Sequence, residues 1–319
     1  MRRPRGQFPE RIESIADLPS PIAEVIRQAE PGDALREIIR IPPGAYPFRR
    51  TVWGFDLPFG WRQTAERFWA VGERAAMVID VETGAVRSAV TVPLAALVEV
   101  CVFQELLYSW IELLWAGQDA VNSIRVEYNS VGNELIYRGL TRMRETFPRR
   151  SLPVSGSPSG IDLADFPFKF QSFLRTSLMA GETLLTAVYQ PAIRPAARRW
   201  QPFISPNRTF AVTDLNVLVI ADQRNRFLRR DRAATDYSIV RHFYPLEQLQ
   251  QAAVEPGPDA DHLRLRFGTG AAIHDATFAV AAPLAQQLCH ALCGDDPEPG
   301  RAEIREDPRI RVDNFLIRS

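Results

Sequence analysis

The stretch NRTFAVTDLNVLVIA, residues 207–221, reads as a short strand, a tight polar turn and a second strand. Asp214 and Asn216 suit such a turn, because their side chains bond local backbone and tolerate left-handed dihedrals. The chain has already used this wording once. ERFWAVGERAAMVID, residues 66–80, lies over it without gaps: Arg67, Ala70, Val71, Val78 and Ile79 match Arg208, Ala211, Val212, Val219 and Ile220. Trp69 faces Phe210, Glu73 faces Asp214 and Met77 faces Leu218. Self-similarity at a long period is the signature of a repeated structural unit.

Three further segments align in the same order. PGDALREIIRIP (31–42) matches AGETLLTAVYQP (180–191) at Gly32, Leu35 and Pro42 against Gly181, Leu184 and Pro191. Val92-Pro93-Leu94 matches Tyr244-Pro245-Leu246, and Leu97 matches Leu249. IRVEY (124–128) is set against LRLRF (263–267), both with the period-2 alternation of a half-buried strand. Unequal offsets place the length differences in loops.

Each copy opens with an amphipathic helix, at 19–29 and 167–179, and a strand that stops before a proline. A long loop leads to the hairpin, and further strands follow. Each copy closes with a helix, at 131–146 and around Leu284, Leu288, Ala291 and Leu292. The fold class expected is mainly β, α+β: two units, each a bent antiparallel sheet or partial barrel of six or seven strands capped by a C-terminal helix. The boundaries read as 1–150 for the first unit with its helical extension, 151–294 for a linker and the second unit, and 295–319 for an acidic, extended tail.

With its hairpins in place, the order GETLLTAVYQP, RTFAVTDLNVLVI, YPLEQL, LRLRFG and a closing helix resembles a bacterial pleckstrin-homology-like domain. The resemblance covers about 180–293 well and about 31–146 less closely, since Thr213 is replaced by Gly72 and Asn216 by Ala75. It implies two such domains in tandem, and its motifs are structural rather than catalytic.

Composition sets bounds on the function. The 319 residues carry 38 basic and 38 acidic side chains, a formal net charge of zero, which argues against a general nucleic-acid binder. Only Lys169 among the basic residues is a lysine, so arginine runs reflect overall usage as much as any site. The start of the chain lacks the apolar core of a signal peptide. The most apolar window, 92–116, is broken by Glu99, Glu105 and Glu112 and is too charged for a membrane span. Three cysteines fit reduced, cytoplasmic thiols.

No catalytic motif stands out. GSPSG (156–160) has Pro158 where a nucleophile elbow needs serine, and GTGAAI (268–273) reads as a hairpin turn. Cys289, His290 and Cys293 share a helical turn but lack a second ligand pair, and the four histidines are scattered. Neither metal nor cofactor is expected. The reading is a non-enzymatic interaction module that binds a protein or peptide, or assembles with itself. Trp53, Phe55, Phe59 and Trp61 are its candidate contact residues. The alternative is a peripheral anionic-lipid or phosphate site made by Arg194, Arg198, Arg199 and Arg208, since guanidinium forks suit phosphate oxygens. A hydrolytic enzyme ranks third.

Overall fold

A computed structural model describes residues 8–29, 34–52, 55–150, 163–194, 204–222, 238–269 and 271–293. The proposed linker from 151 to 162, the tail from 295 to 319 and the Gly32 corner lie outside the described residues. In chain order the elements are β1 (Glu10–Arg11), α1 (Ser20–Ala29), β2 (Glu37–Ile41), β3 (Ala45–Val52), β4 (Phe55–Gln63), β5 (Glu66–Val71), β6 (Ala75–Glu82), β7 (Ala85–Pro93), β8 (Leu97–Glu105), β9 (Tyr108–Ala116), β10 (Val121–Tyr128) and α2 (Asn133–Arg144). Then come α3 (Phe168–Ser177), β11 (Leu184–Gln190), β12 (Arg208–Thr213), β13 (Asn216–Asp222), β14 (Ile239–Pro245), β15 (Leu249–Glu255), β16 (Asp261–Thr269), β17 (Ala272–Val280) and α4 (Ala282–Cys293). Among the described residues the protein is mainly β, with four α-helices.

The strand registers repeat between the two halves of the chain. In the first unit β2, β5, β6 and β7 pair in that order; in the second, β11, β12, β13 and β14 do. Ile39 faces Trp69, which faces Val78, which faces Val90. In the second unit Val188 faces Phe210, which faces Val219, which faces His242. A 3-10 turn follows each fourth strand, at Leu94–Ala96 and Leu246–Gln248, capped by Pro93 and Pro245. Three more strands then form a meander, β8-β9-β10 or β15-β16-β17. From the fourth strand onward one offset of 152 residues relates the copies, carrying Val90 to His242, Val100 to Ala252 and Val126 to Phe278. Even the bulge recurs, at Leu97/Glu99 and at Leu249/Gln251.

This offset corrects one expectation. IRVEY lies in β10, the last strand of its meander, and its counterpart is Ala276–Val280 in β17; LRLRF belongs to β16, the counterpart of β9. The expected long loop of the first copy is a hairpin, β3 against β4, with a register shift at Phe48/Arg49.

Helices explain why several strands are apolar throughout rather than alternating. α1 places Ile22, Ala23 and Ile26 on the outer face of the first sheet, against Ala70, Met77 and Ile79. α3 does the same in the second unit, with Phe170 and Leu174 over Ala211, Leu218 and Ile220. Strands β6 and β13 are thus covered on both faces, and their runs AAMVI and NVLVIA follow from that. α2 closes the first unit by pressing Ile136, Leu140 and Met143 onto Ile39 and Trp69. Gly139 is its point of closest approach: a Cβ there would stand 2.8 Å from the Trp69 ring and 3.1 Å from Ile39 Cδ1. Gly139→Ala gains up to about 1 kcal/mol of helix propensity. It also overpacks a fully buried indole, which costs roughly 1–3 kcal/mol. We expect a lower urea midpoint for this variant at unchanged slope.

Candidate functional site

The two units are joined by pairing of β8, in the first meander, with β14, in the second unit's opening sheet. Val100 faces Phe243, Cys101 faces His242, Val102 faces Arg241, Phe103 faces Val240 and Gln104 faces Ile239. A seven-stranded sheet results, in the order β10-β9-β8-β14-β13-β12-β11. One of its faces continues the first unit's core into the outer surface of the second. The other face joins the outer surface of the first to the core of the second.

On the first of these faces two buried arginines span the seam. The Arg144 guanidinium, on α2, donates to both oxygens of Glu182 at 2.8 Å and to the Ser177 carbonyl at 2.8 Å, and it stacks over Phe243. Arg241 donates to Gln104 at 3.0 Å and lies against Tyr137 and Phe173. Burial pulls its pKa down to about 10. Glu182 is held in turn by the Met179 N–H and the Thr213 hydroxyl. Gly181, at φ +76°, makes the corner that presents Glu182, a conformation open to glycine and costly for other residues. The turn at 213–216 is tied by Thr213, whose hydroxyl accepts from the N–H groups of Leu215 and Asn216. Asp214 instead accepts from the Thr183 N–H and from Arg149.

The opposite face of the seam carries the ionisable cluster. Glu99 is buried on β8. Its Oε1 lies 2.6 Å from Nδ1 of His242 on β14, and its Oε2 lies 2.7 Å from Nε2 of His274 on β17. Both contacts are at ion-pair distance, so the carboxylate is held between two imidazole rings. Burial alone would raise the Glu99 pKa; the hydrogen bonds and charges of His242 and His274 overcome it and hold the carboxyl at about 2. Cys101, two residues along on the same face, brings its sulfur within 4.8 Å of the Glu99 and His242 donor atoms. Burial, and then the nearby Glu99 carboxylate, push its thiol well up. Tyr244 stacks its ring on His242, Phe267 and His274, fixing both imidazoles.

Sequence reading treated these residues singly. Glu99 served only as a charge that breaks an apolar window, and His242 and His274 as scattered surface groups. The structure brings both histidines to one carboxylate. The available signal was the glutamate inside VEVCV, because a charge in a strand buried on both faces must find partners.

Of the residues singled out from sequence, Arg194, Arg208, Phe55, Phe59 and Trp61 lie among the described residues. Arg208 turns inward at the start of β12, with its guanidinium 5.5 Å from the Phe278 ring, and burial draws its pKa down to about 10. Arg194 is exposed, while Arg198 and Arg199 lie outside the described residues. Trp61 is exposed at the end of β4, and Phe55 and Phe59 belong to that strand; Trp53 lies outside the described residues. Cys289 and Cys293 direct their thiols at the Ala252 carbonyl of β15, at 3.6 and 3.8 Å. No helix among the described residues is long and apolar enough to cross a membrane. Comparison of the chain with family models, with curated proteins and with solved structures returns no match.

Proposed function

We propose that the chain is a non-enzymatic interaction protein. On this reading it is two pleckstrin-homology-like units welded through one sheet, and its β7 edge receives an extended segment of a partner. The order of four strands, a 3-10 turn, a three-stranded meander and a closing helix, repeated in register, supports the family reading. The observation that carries the docking surface is a contrast between equivalent strands. Ile239 and Arg241 of β14 are buried because β8 pairs with that edge. Their counterparts in β7, Arg87 and Ala89, are exposed, as is Ser88 between them, and among the described residues β7 has β6 as its single neighbour. The fold therefore already uses this edge once, within the chain, as an acceptor for an added strand. The complementary edge, on β15, is obstructed at Ala252 by the two thiols of α4. Of the two edges equivalent to the joined pair, β7 is the one left on offer.

The test is site-specific photo-cross-linking in cells, with the reactive group at Arg87 and, as a control, at Glu24 on the neighbouring α1. A discrete adduct is expected from Arg87 and not from Glu24. If the partner is a second copy, the adduct runs as a dimer of the chain. The same adducts from both positions, or none from Arg87, would overturn the edge-docking reading.

A further inference from the structure

We propose that Glu99, Cys101, His242 and His274 form a binding site for one zinc ion, which staples the first unit to the second. Two imidazole nitrogens, a carboxylate oxygen and a thiolate sulfur are zinc's own ligand types, and four of them fill its tetrahedral preference. Three of the donor atoms already lie within 4.8 Å of one another, and the fourth is 2.7 Å from the other oxygen of the shared carboxylate. Ligands on a tetrahedral zinc stand about 3.5 Å apart at its usual bond lengths. His274 stands outside that set of three and would have to turn toward it to complete the four. The side chains reach the point from three strands, β8, β14 and β17, of both units.

Two observations separate this cluster from an ordinary buried ion pair. First, the repeat supplies its own control. The 152-residue offset relates Glu99, Cys101, His242 and His274 to Gln251, Ala253, Val90 and Asn122, so the architecture makes the same strands without ionisable groups there. A buried ion pair is a poor source of stability compared with apolar packing, so its presence at the seam alone calls for another role. Second, Nε2 of His274 is buried and directed at the same carboxylate, 2.7 Å from its second oxygen, so both oxygens of Glu99 face imidazole nitrogens. A zinc ion bound there would displace the proton that Nε2 directs at the carboxylate, as metal binding to histidine does.

The test uses the full chain stripped with a chelator and titrated with cobalt(II), then with zinc. We expect one ion per chain, held at sub-micromolar zinc, with a thiolate-to-cobalt charge-transfer band in the near ultraviolet. Cys101→Ser is expected to remove that band, and His274→Ala to weaken zinc binding at least tenfold, in line with the 10–100-fold losses that follow even outer-shell changes. Cys289→Ser with Cys293→Ser is expected to leave both the band and the affinity unchanged, which separates this cluster from the thiol pair on α4. A wild-type chain that takes up no ion at micromolar zinc, or one that takes it up without a thiolate band, overturns the proposal whether or not the variants fold. So does a band that survives Cys101→Ser.

Discussion

Glu182→Ala is expected to lower the unfolding free energy by about 3–5 kcal/mol, the range for removing one member of a buried ion pair. The two side chains are among the least exposed charged groups of the seam, 3% for Arg144 and 0% for Glu182. With the carboxylate gone, the guanidinium keeps its stacking on Phe243 and its bond to the Ser177 carbonyl, but its charge is left without a counter-ion in a low-dielectric site. The Met179 N–H loses its acceptor in the same step, and the Thr213 hydroxyl is left with the Asn216 carbonyl at 3.2 Å. Glu182→Gln keeps the shape and some of these bonds, so it should fall between the wild type and the alanine variant. Urea unfolding followed by far-ultraviolet circular dichroism measures both. A loss below about 1 kcal/mol for the alanine variant, the size of an exposed pair, would show that this contact is not the closed ion pair described.

The position of Glu182 also shows where sequence reasoning reached and where it stopped. The glycine ahead of the first strand was legible, as the match of Gly181 with Gly32, and Gly181 makes a left-handed turn. What Glu182 does there was not, since its partner Arg144 belongs to the other unit, 38 residues earlier. The same limit applied to the seam. Runs such as VLVIA in β13 and VEVCVF in β8 announce strands buried on both faces, but they do not announce their neighbours. Glu99 and His242 meet across 143 residues, and no local pattern encodes that pairing.

Periodicity misled in one place for a related reason. LRLRF and IRVEY alternate alike, and matching them by wording placed β10 one strand out of register with its true counterpart, β17. The β3–β4 hairpin escaped because its aromatic-rich stretch is broken by Pro47, Pro58 and Gly60, residues that weaken a strand assignment. Arginine bias hid a further feature. Runs were discounted as usage, while the arginines that bind the units together, Arg144 and Arg241, belong to none of those runs and sit one in a helix and one in a strand.

If one sheet joins the two units, damage to the second should be felt in the first. Phe243 supplies the test. It lies on β14, in the second unit, yet its ring packs into the core shared with Val100, Ile111 and Leu140 and lies beneath the Arg144 guanidinium. Phe243→Ala should cost about 3–5 kcal/mol, the usual loss for deleting a buried phenyl ring. The chain carries its own reporter for coupling. Five of its six tryptophans (Trp53, Trp61, Trp69, Trp110 and Trp115) precede the second unit, and Trp200 alone lies in it. Tryptophan fluorescence therefore follows mainly the first unit, while far-ultraviolet circular dichroism follows both. For the wild type the two curves should superimpose as one cooperative transition, and Phe243→Ala should move them together to lower urea. Independent units would behave otherwise: the dichroism curve would split, and its early step would leave the fluorescence midpoint where it was. That split would mean that β8 and β14 do not hold each other in solution, and the ion site would then lack the seam it is proposed to staple.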